Sequence, residues 1–168
     1  QVPFISAQTH ILIGQPALKR DDEDIFAFMV GNHVLGGGGL VSLLTSTMRD
    51  KHGLSYSTSS HFVPSAQPGP FVISTQVRND SADRAIEVLR EVFLDFLHNG
   101  PTPRQLELAK RNITGGFPLN LNSNRKIVGY LSSIGFYRLP LDYLDTYLER
   151  IEAVTAEPSS ATSIRTPW

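Results

Sequence analysis

Cysteine is absent from the 168 residues, which removes disulfides, thiolate metal sites and cysteine nucleophiles together and leaves the redox compartment open. Charge is scarce and balanced, since Asp, Glu, Lys and Arg make up 18% of the chain and sum to −1. There is no basic field to hold a nucleic acid and no acidic tail. No apolar run approaches the roughly 20 residues that span a bilayer, and no basic-then-apolar leader opens the chain, which reads as soluble as given. Neither nucleic acid nor membrane is expected as a partner. Internal repeats and low-complexity tracts are missing too.

What is present suits one domain with a sizeable core, burying about two thirds of its unfolded surface at this length. The chain opens on Gln1 rather than a methionine and closes on a Ser, Thr and Pro-rich stretch without periodicity, so it reads as a piece of a longer polypeptide. The expected layout is one domain over 1–155 and an irregular tail over 156–168. Residues 8–14 alternate loosely, Ile11 and Ile13 against His10 and Leu12, and read as an interior strand. Asp21 to Asp24 make an acidic helix start, followed by Ile25, Phe26, Phe28, Met29, His33 and Val34 on an apolar side. Between the breakers Pro64 to Pro70 and Arg78, Phe71, Ile73, Thr75 and Val77 alternate with polar residues, forming an antiparallel hairpin with the strand before them.

Helices dominate the second half. Ala82, Ala85, Ile86, Leu89, Val92, Phe93, Phe96 and Leu97 keep one buried stripe between an Asp80 or Ser81 cap and a Gly100-Pro101 stop. Thr102, Pro103 and Gln105 supply a cap, a first-turn proline and a capping-box partner for the next helix, which breaks near Gly115-Gly116 or Pro118. Two more follow, one with Ile127, Val128, Leu131 and Ile134 on its apolar side, the other with Leu144, Tyr147, Leu148, Ile151 and Val154. Strands first and helices later predict an α+β two-layer sandwich, an antiparallel sheet with helices packed on one face.

The segment 35–60, LGGGGLVSLLTSTMRDKHGLSYSTSS, is the one around which the rest is organised. Gly36 to Gly39 end one apolar segment, and Leu40, Leu43, Leu44 and Met48 then recur at helical spacing up to Arg49, Asp50 and Lys51. Gly53 is placed to close that helix in the left-handed conformation. Beyond it Tyr56, Thr58, Ser60 and Phe62 share one face of an extended run, with Ser55, Ser57, Ser59 and His61 on the other. Arg49 and Tyr56 therefore flank a helix-to-strand corner, within reach of the same small volume. On residue type alone, Arg49 is an exposed helix-end cation and Tyr56 a strand aromatic packed over the core.

Gly37, Gly38, Gly39, Ser42, Leu44, Arg49, Gly53, Leu54, Tyr56 and Ser57 together resemble the signature of the non-catalytic domain of the insulinase and pitrilysin zinc metallopeptidases. Gly31, Asn32, Gly69 and Phe71 extend the likeness, and the order of elements agrees from about Gln8 to Val154. Leu40 and Leu43 stand where the family often has Phe and Arg. The further helix and closing strand of the family's domain have no good candidate here, so one sheet edge is expected to be open, with a homodimer as one consequence.

The resemblance implies a particular division of labour. The family holds zinc in a His-x-x-Glu-His motif, which is absent from this chain; its histidines, His10, His33, His52, His61 and His98, are scattered. Zinc is thus expected on a partner domain or subunit, and no peptidase activity from the chain alone. Arg49 and Tyr56 match the spacing of the Arg and Tyr with which the family's non-catalytic domain holds peptide substrate, Tyr56 polarising the scissile carbonyl and Arg49 positioning the substrate backbone. A structural scaffold without a peptidase role and a module binding peptides by strand addition are the alternatives. The glycines lack the Lys-Ser or Lys-Thr of a phosphate loop, Ser42 lacks a visible His and Asp, and residues 117–124 form a breaker-rich joint without evident chemistry.

Overall fold

The computed structural model describes residues 5–156; the expected irregular tail otherwise lies outside the described residues. Nine-residue β1 (Gln8–Pro16) comes first. Helix α1 (Ile25–Asn32) continues through a π-turn over His33–Gly37. A short helix, α2 (Leu43–Thr45), likewise widens into a π-turn over Ser46–Lys51. Strands β2 (Thr58–Phe62) and β3 (Pro70–Arg78) then form the expected hairpin, with Thr58 opposite Thr75 and Phe62 opposite Phe71. Four helices follow: α3 (Ala82–Asn99), α4 (Pro103–Gly116), α5 (Asn124–Tyr137) and α6 (Tyr143–Glu152).

Among the described residues the sheet has three antiparallel strands in the order β1-β3-β2. There β1 pairs only with β3 and stands at the edge, not in the interior position its double-sided apolar pattern suggested. Ile11 faces the core, whereas Leu12 is 73% exposed on the uncovered face. Ile11, Thr58, Ser60, Phe71, Ile73, Thr75 and Val77 turn inward, and His10, Leu12, His61 and Gln76 turn outward. The fold is α+β with helices on one face of the sheet, as the order of elements predicts.

Helix α3 carries the main stripe, burying Ala85, Val88, Leu89, Phe93 and Phe96. The Phe93 ring stacks on Phe71 of β3 at 5.9 Å, and Phe28 of α1 meets Phe62 and Phe71 edge-on at 4.6 and 5.9 Å. Leu44 and Met48 are wholly enclosed. Aromatic contacts also hold α6 down, with Phe117 stacked on Tyr147 at 4.5 Å and Phe26 against Tyr143 and Tyr147. At the start of α4 the capping box forms, Thr102 Oγ1 accepting from Gln105 N and Gln105 Oε1 from Thr102 N.

The apolar stripes depart from expectation in places: Ile86 of α3 and Leu148 of α6 are exposed, and larger departures fall on α2 and α5. Helix α2 starts at Leu43 and not at Leu40, because Ser42 Oγ accepts from Thr45 N and caps the helix there. Leu40 and Val41 are left exposed on the preceding 3-10 turn. On α5 only Ile134 is buried, while Val128 and Leu131 are 58% and 56% exposed. Periodicity identifies the apolar side of a helix; it cannot supply the surface that would cover it.

Gly36 is where α1 meets the sheet. A Cβ there would fall on the backbone nitrogen and Oγ of Ser60 and within 2.9 Å of Leu44 Cδ1. Gly36→Ala should therefore cost about 3 kcal/mol through overpacking, whereas Gly115→Ala in α4, whose added methyl meets nothing within 4 Å, should stabilise by about 0.5–1 kcal/mol. Urea denaturation of the two variants checks the contrast.

His33 sits at the start of the α1 π-turn with Nε2 buried and unpartnered. Burial holds its pKa below the ordinary 6.5, so at mildly acidic pH the unfolded chain takes up a proton that the folded protein resists. The contribution is complete above the unfolded value and is lost as pH falls through 6.5 toward the lower folded value. Thermal unfolding between pH 7.5 and 5 should show a steeper acid loss for the wild type than for His33→Gln.

Candidate functional site

The corner between α2 and β2 is tied down from beneath. Gly53 takes a φ of +61°, a region that costs glycine little, and reverses the chain. Leu54 N and Ser55 N then both donate to the carbonyl of Met48, at 2.8 and 3.3 Å, so the segment after the helix is anchored to a residue in the middle of the core. Arg49 lies on the π-turn next to that anchor.

Ser55 turns into the protein and Tyr56 turns out of it. The hydroxyl of Ser55 lies 2.8 Å from the Ser57 carbonyl and 2.9 Å from the Gln76 carbonyl, and accepts from Thr75 Oγ1 at 2.8 Å. Thr75 and Thr58 share a hydrogen bond at 2.8 Å. Thr45 Oγ1 donates to the Thr58 carbonyl at 2.6 Å, and Ser42 Oγ lies 3.1 Å from Thr45 Oγ1. All five side chains are buried. Taken in one sense, Thr58 donates to Thr75, Thr75 to Ser55, and Ser55 to a carbonyl, so each hydroxyl in this run finds a partner.

This pairing changes the expected faces of the strand. Extended alternation from Ser55 puts Tyr56 with Thr58 and Ser60, which are core residues. Instead the chain bends at Tyr56, the strand begins only at Thr58, and Tyr56 and Ser57 both face outward. Tyr56 is 82% exposed. A strand aromatic packed over the core is therefore not what this residue is. The serines divide likewise: Ser55 and Ser60 are inside and hydrogen-bonded, Ser60 donating to Asn32 at 2.7 Å, while Ser57 and Ser59 stay on the open side.

Arg49 and Tyr56 are brought together. The guanidinium carbon lies 5.3 Å from the centroid of the Tyr56 ring, a cation–π contact. The Arg49 side chain is 39% exposed, and Asp50 is its nearest carboxylate, at 3.6 Å. No hydrogen-bond partner meets the Tyr56 hydroxyl among the described residues. Tyr56 stands at one end of a shallow trough of about 440 Å³ on the uncovered sheet face, with Gln8, His10, Leu12, Ser59, Ser74 and Gln76 along it. Ser59 and Ser74 share a hydrogen bond across the strands at 3.1 Å. The lining combines amides, hydroxyls and one imidazole with the apolar surface of Leu12, Leu54, Val77 and the Tyr56 ring, so groups able to hydrogen-bond an extended chain are spaced along a largely apolar floor.

Among the described residues, no three His, Asp or Glu side chains gather closely enough to hold a metal ion. Sequence reasoning named Arg49 and Tyr56 but missed Ser55, Thr58 and Thr75. The signal for these was the run of small hydroxyl residues at positions where a strand core normally carries aliphatic ones.

Comparison with known proteins bears on residues 4–113, which match the family model described as the peptidase M16 inactive domain. A crystal structure of a peptidase M16 inactive domain from Pseudomonas fluorescens superposes with a TM-score of 0.88 at 39% identity, over 95% of this chain and 38% of that one. An uncharacterized zinc protease of Streptomyces coelicolor is 27% identical over 89% of this chain and 32% of its own length. A Helicobacter pylori protein described as a non-peptidase homolog is 24% identical over 88% of this chain and 34% of its own length. The chain thus spans about a third of the length of these relatives.

The buried hydroxyls make the support of Tyr56 testable apart from any activity. Ser55→Ala should cost about 1–2 kcal/mol, since it removes a buried acceptor and donor together, and should speed amide hydrogen exchange in residues 55–57. Ser59→Ala on the open face should change stability by less than about 0.5 kcal/mol.

Proposed function

The chain belongs to the peptidase M16 inactive-domain family, the non-catalytic domain of the insulinase and pitrilysin zinc metallopeptidases, and on that premise we propose that it contributes peptide-binding and oxyanion-stabilising groups to an active site completed by another domain or subunit. The observation that carries this reading is the Arg49–Tyr56 pair: two hydrogen-bonding groups in contact with each other, at one end of an open trough.

On this reading the zinc is held by the partner domain or subunit; among the described residues no three His, Asp or Glu side chains gather to hold a metal ion. What this chain supplies is a phenol and a guanidinium. As negative charge develops on the carbonyl oxygen under attack, the Tyr56 hydroxyl donates a hydrogen bond to it and gains strength as the charge grows. One such donor contributes about 2.7–4 kcal/mol to a rate. Arg49 remains charged at any working pH, and its planar donors hold neighbouring peptide carbonyls. The ring of Tyr56 against the guanidinium limits the rotamers of both, which lowers the cost of ordering them on substrate. The outer edge of β1 has no strand partner among the described residues, and it is where a strand of the zinc-bearing partner, or of a second copy, would pair.

A scaffold role is the second reading, favoured by the relative described as a non-peptidase homolog. The deciding experiment uses the peptidase assembly reconstituted with the zinc-bearing domain. There Tyr56→Phe should lower kcat about 100- to 1,000-fold with KM little changed, while Arg49→Ala should raise KM. Wild-type rates for both variants in an active assembly would leave the chain as scaffold.

A further inference from the structure

At the opposite end of the sheet from Tyr56 the chain leaves β1 and presents Arg20. The nine residues of β1 separate the two places by about 26 Å at the usual strand rise. Arg20 is half-buried, and its Nε is enclosed with no hydrogen-bond partner. No carboxylate reaches it among the described residues. Its neighbours are rings: the guanidinium carbon lies 5.9 Å from the Tyr137 centroid, and its charge opposes the upward pKa shifts that burial gives Tyr130, Tyr143 and Tyr147.

Beside it opens a pocket of about 340 Å³ lined by Arg20, Asn120, Lys126, Gly129, Tyr130 and Ser133. Among the described residues the second cation likewise meets no carboxylate: Lys126 Nζ donates to the Leu119 carbonyl at 2.7 Å and to Asn122 Oδ1 at 3.1 Å, both uncharged acceptors. Two positive charges, a phenol, a hydroxyl and an amide thus line one small volume that no acidic side chain enters among the described residues. A guanidinium that lines such a pocket without an acidic partner among the described residues is matched to carboxylate and phosphate oxygens, which accept from its paired N–H donors.

We propose that this pocket binds an oxyanion, the phosphate or carboxylate group of a small ligand, with Arg20 as the principal donor and Lys126 and Tyr130 around it. The proposal is independent of the Arg49–Tyr56 reading, since it concerns the other end of the sheet and needs no partner domain.

The test uses the full 168-residue chain in chloride buffers of matched ionic strength, with inorganic phosphate or acetate as the probe. At 20 mM the bound anion should raise Tm by about 3 °C and shift the Arg20 Nε–H signal in 15N-resolved NMR. A response to phosphate alone identifies a phosphate group, and a response to both identifies carboxylate-sized recognition. Arg20→Gln should abolish either response. Because that variant can fail to fold, Gly129→Asp provides a second route: an added Cβ there meets nothing within 4 Å, so the new carboxylate occupies the pocket from within. Gly129→Asp should melt above Gly129→Asn and no longer respond to the anion. Absence of any response in the wild type, an undiminished Tm rise in folded Arg20→Gln, or equal melting of the two Gly129 variants would overturn the proposal.

Discussion

The buried run of hydroxyls from Ser42 through Thr45, Thr58 and Thr75 to Ser55 is the constraint on which the rest of this structure depends. It joins α2, β2, β3 and the loop before β2, adding side-chain bonds to the β2–β3 backbone ladder and to the backbone bonds that Leu54 and Ser55 make to Met48. Aliphatic contact is tolerant of sliding and rotation; a hydrogen bond is not, because a buried donor that slips off its acceptor forfeits its desolvation. The position of the corner relative to the sheet is therefore held by direction as well as by packing. The close approach of Gly36 to Ser60 works with it, since α1 can lie against β2 only where no side chain intervenes.

Ordering Ser55 inward is what presents Tyr56 outward. The bend between Ser55 and Thr58 breaks the two-residue alternation, so that a large aromatic stands on the wet side of a strand whose neighbouring inward positions are small and polar. Exposing 82% of a tyrosine gives up burial, and the cation–π contact with Arg49 returns only part of that. The hydrogen bonds below the bend are what hold this local departure from alternation in place.

The two layers divide the work of the domain. One face of the sheet is covered by α3 and the aromatic contacts of Phe28, Phe71 and Phe93. The other is left as a trough of amides and hydroxyls with Leu12 beside it. The helical layer is itself uneven: α3 is anchored along its whole length, whereas α5 leans inward mainly through Ile134 and leaves Val128 and Leu131 exposed. The pocket at Arg20 opens beside that loosely covered helix, lined in part by Lys126, Gly129, Tyr130 and Ser133 of α5.

Much of this was legible in the chain. Local signals act over a few residues and survive any tertiary arrangement: the Thr102, Pro103 and Gln105 cap, the Gly53 reversal, the stripe of α3 and the alternation of β3 were readable because each satisfies its own backbone. The proximity of Arg49 and Tyr56 was readable for the same reason, seven residues apart across one turn. The edge position of β1, the bend that takes Tyr56 off the face of Thr58 and Ser60, and the uncovered side of α5 were not. Each depends on which distant surface is available, and periodicity records an apolar face without recording its neighbour. By itself the sequence determined the elements, the α+β order and the family signature, because these rest on short-range sterics and patterning. Only the tertiary structure decided which side of the strand each residue occupies, because Thr75 and Gln76, twenty and twenty-one residues further on, provide the partners that draw Ser55 inward.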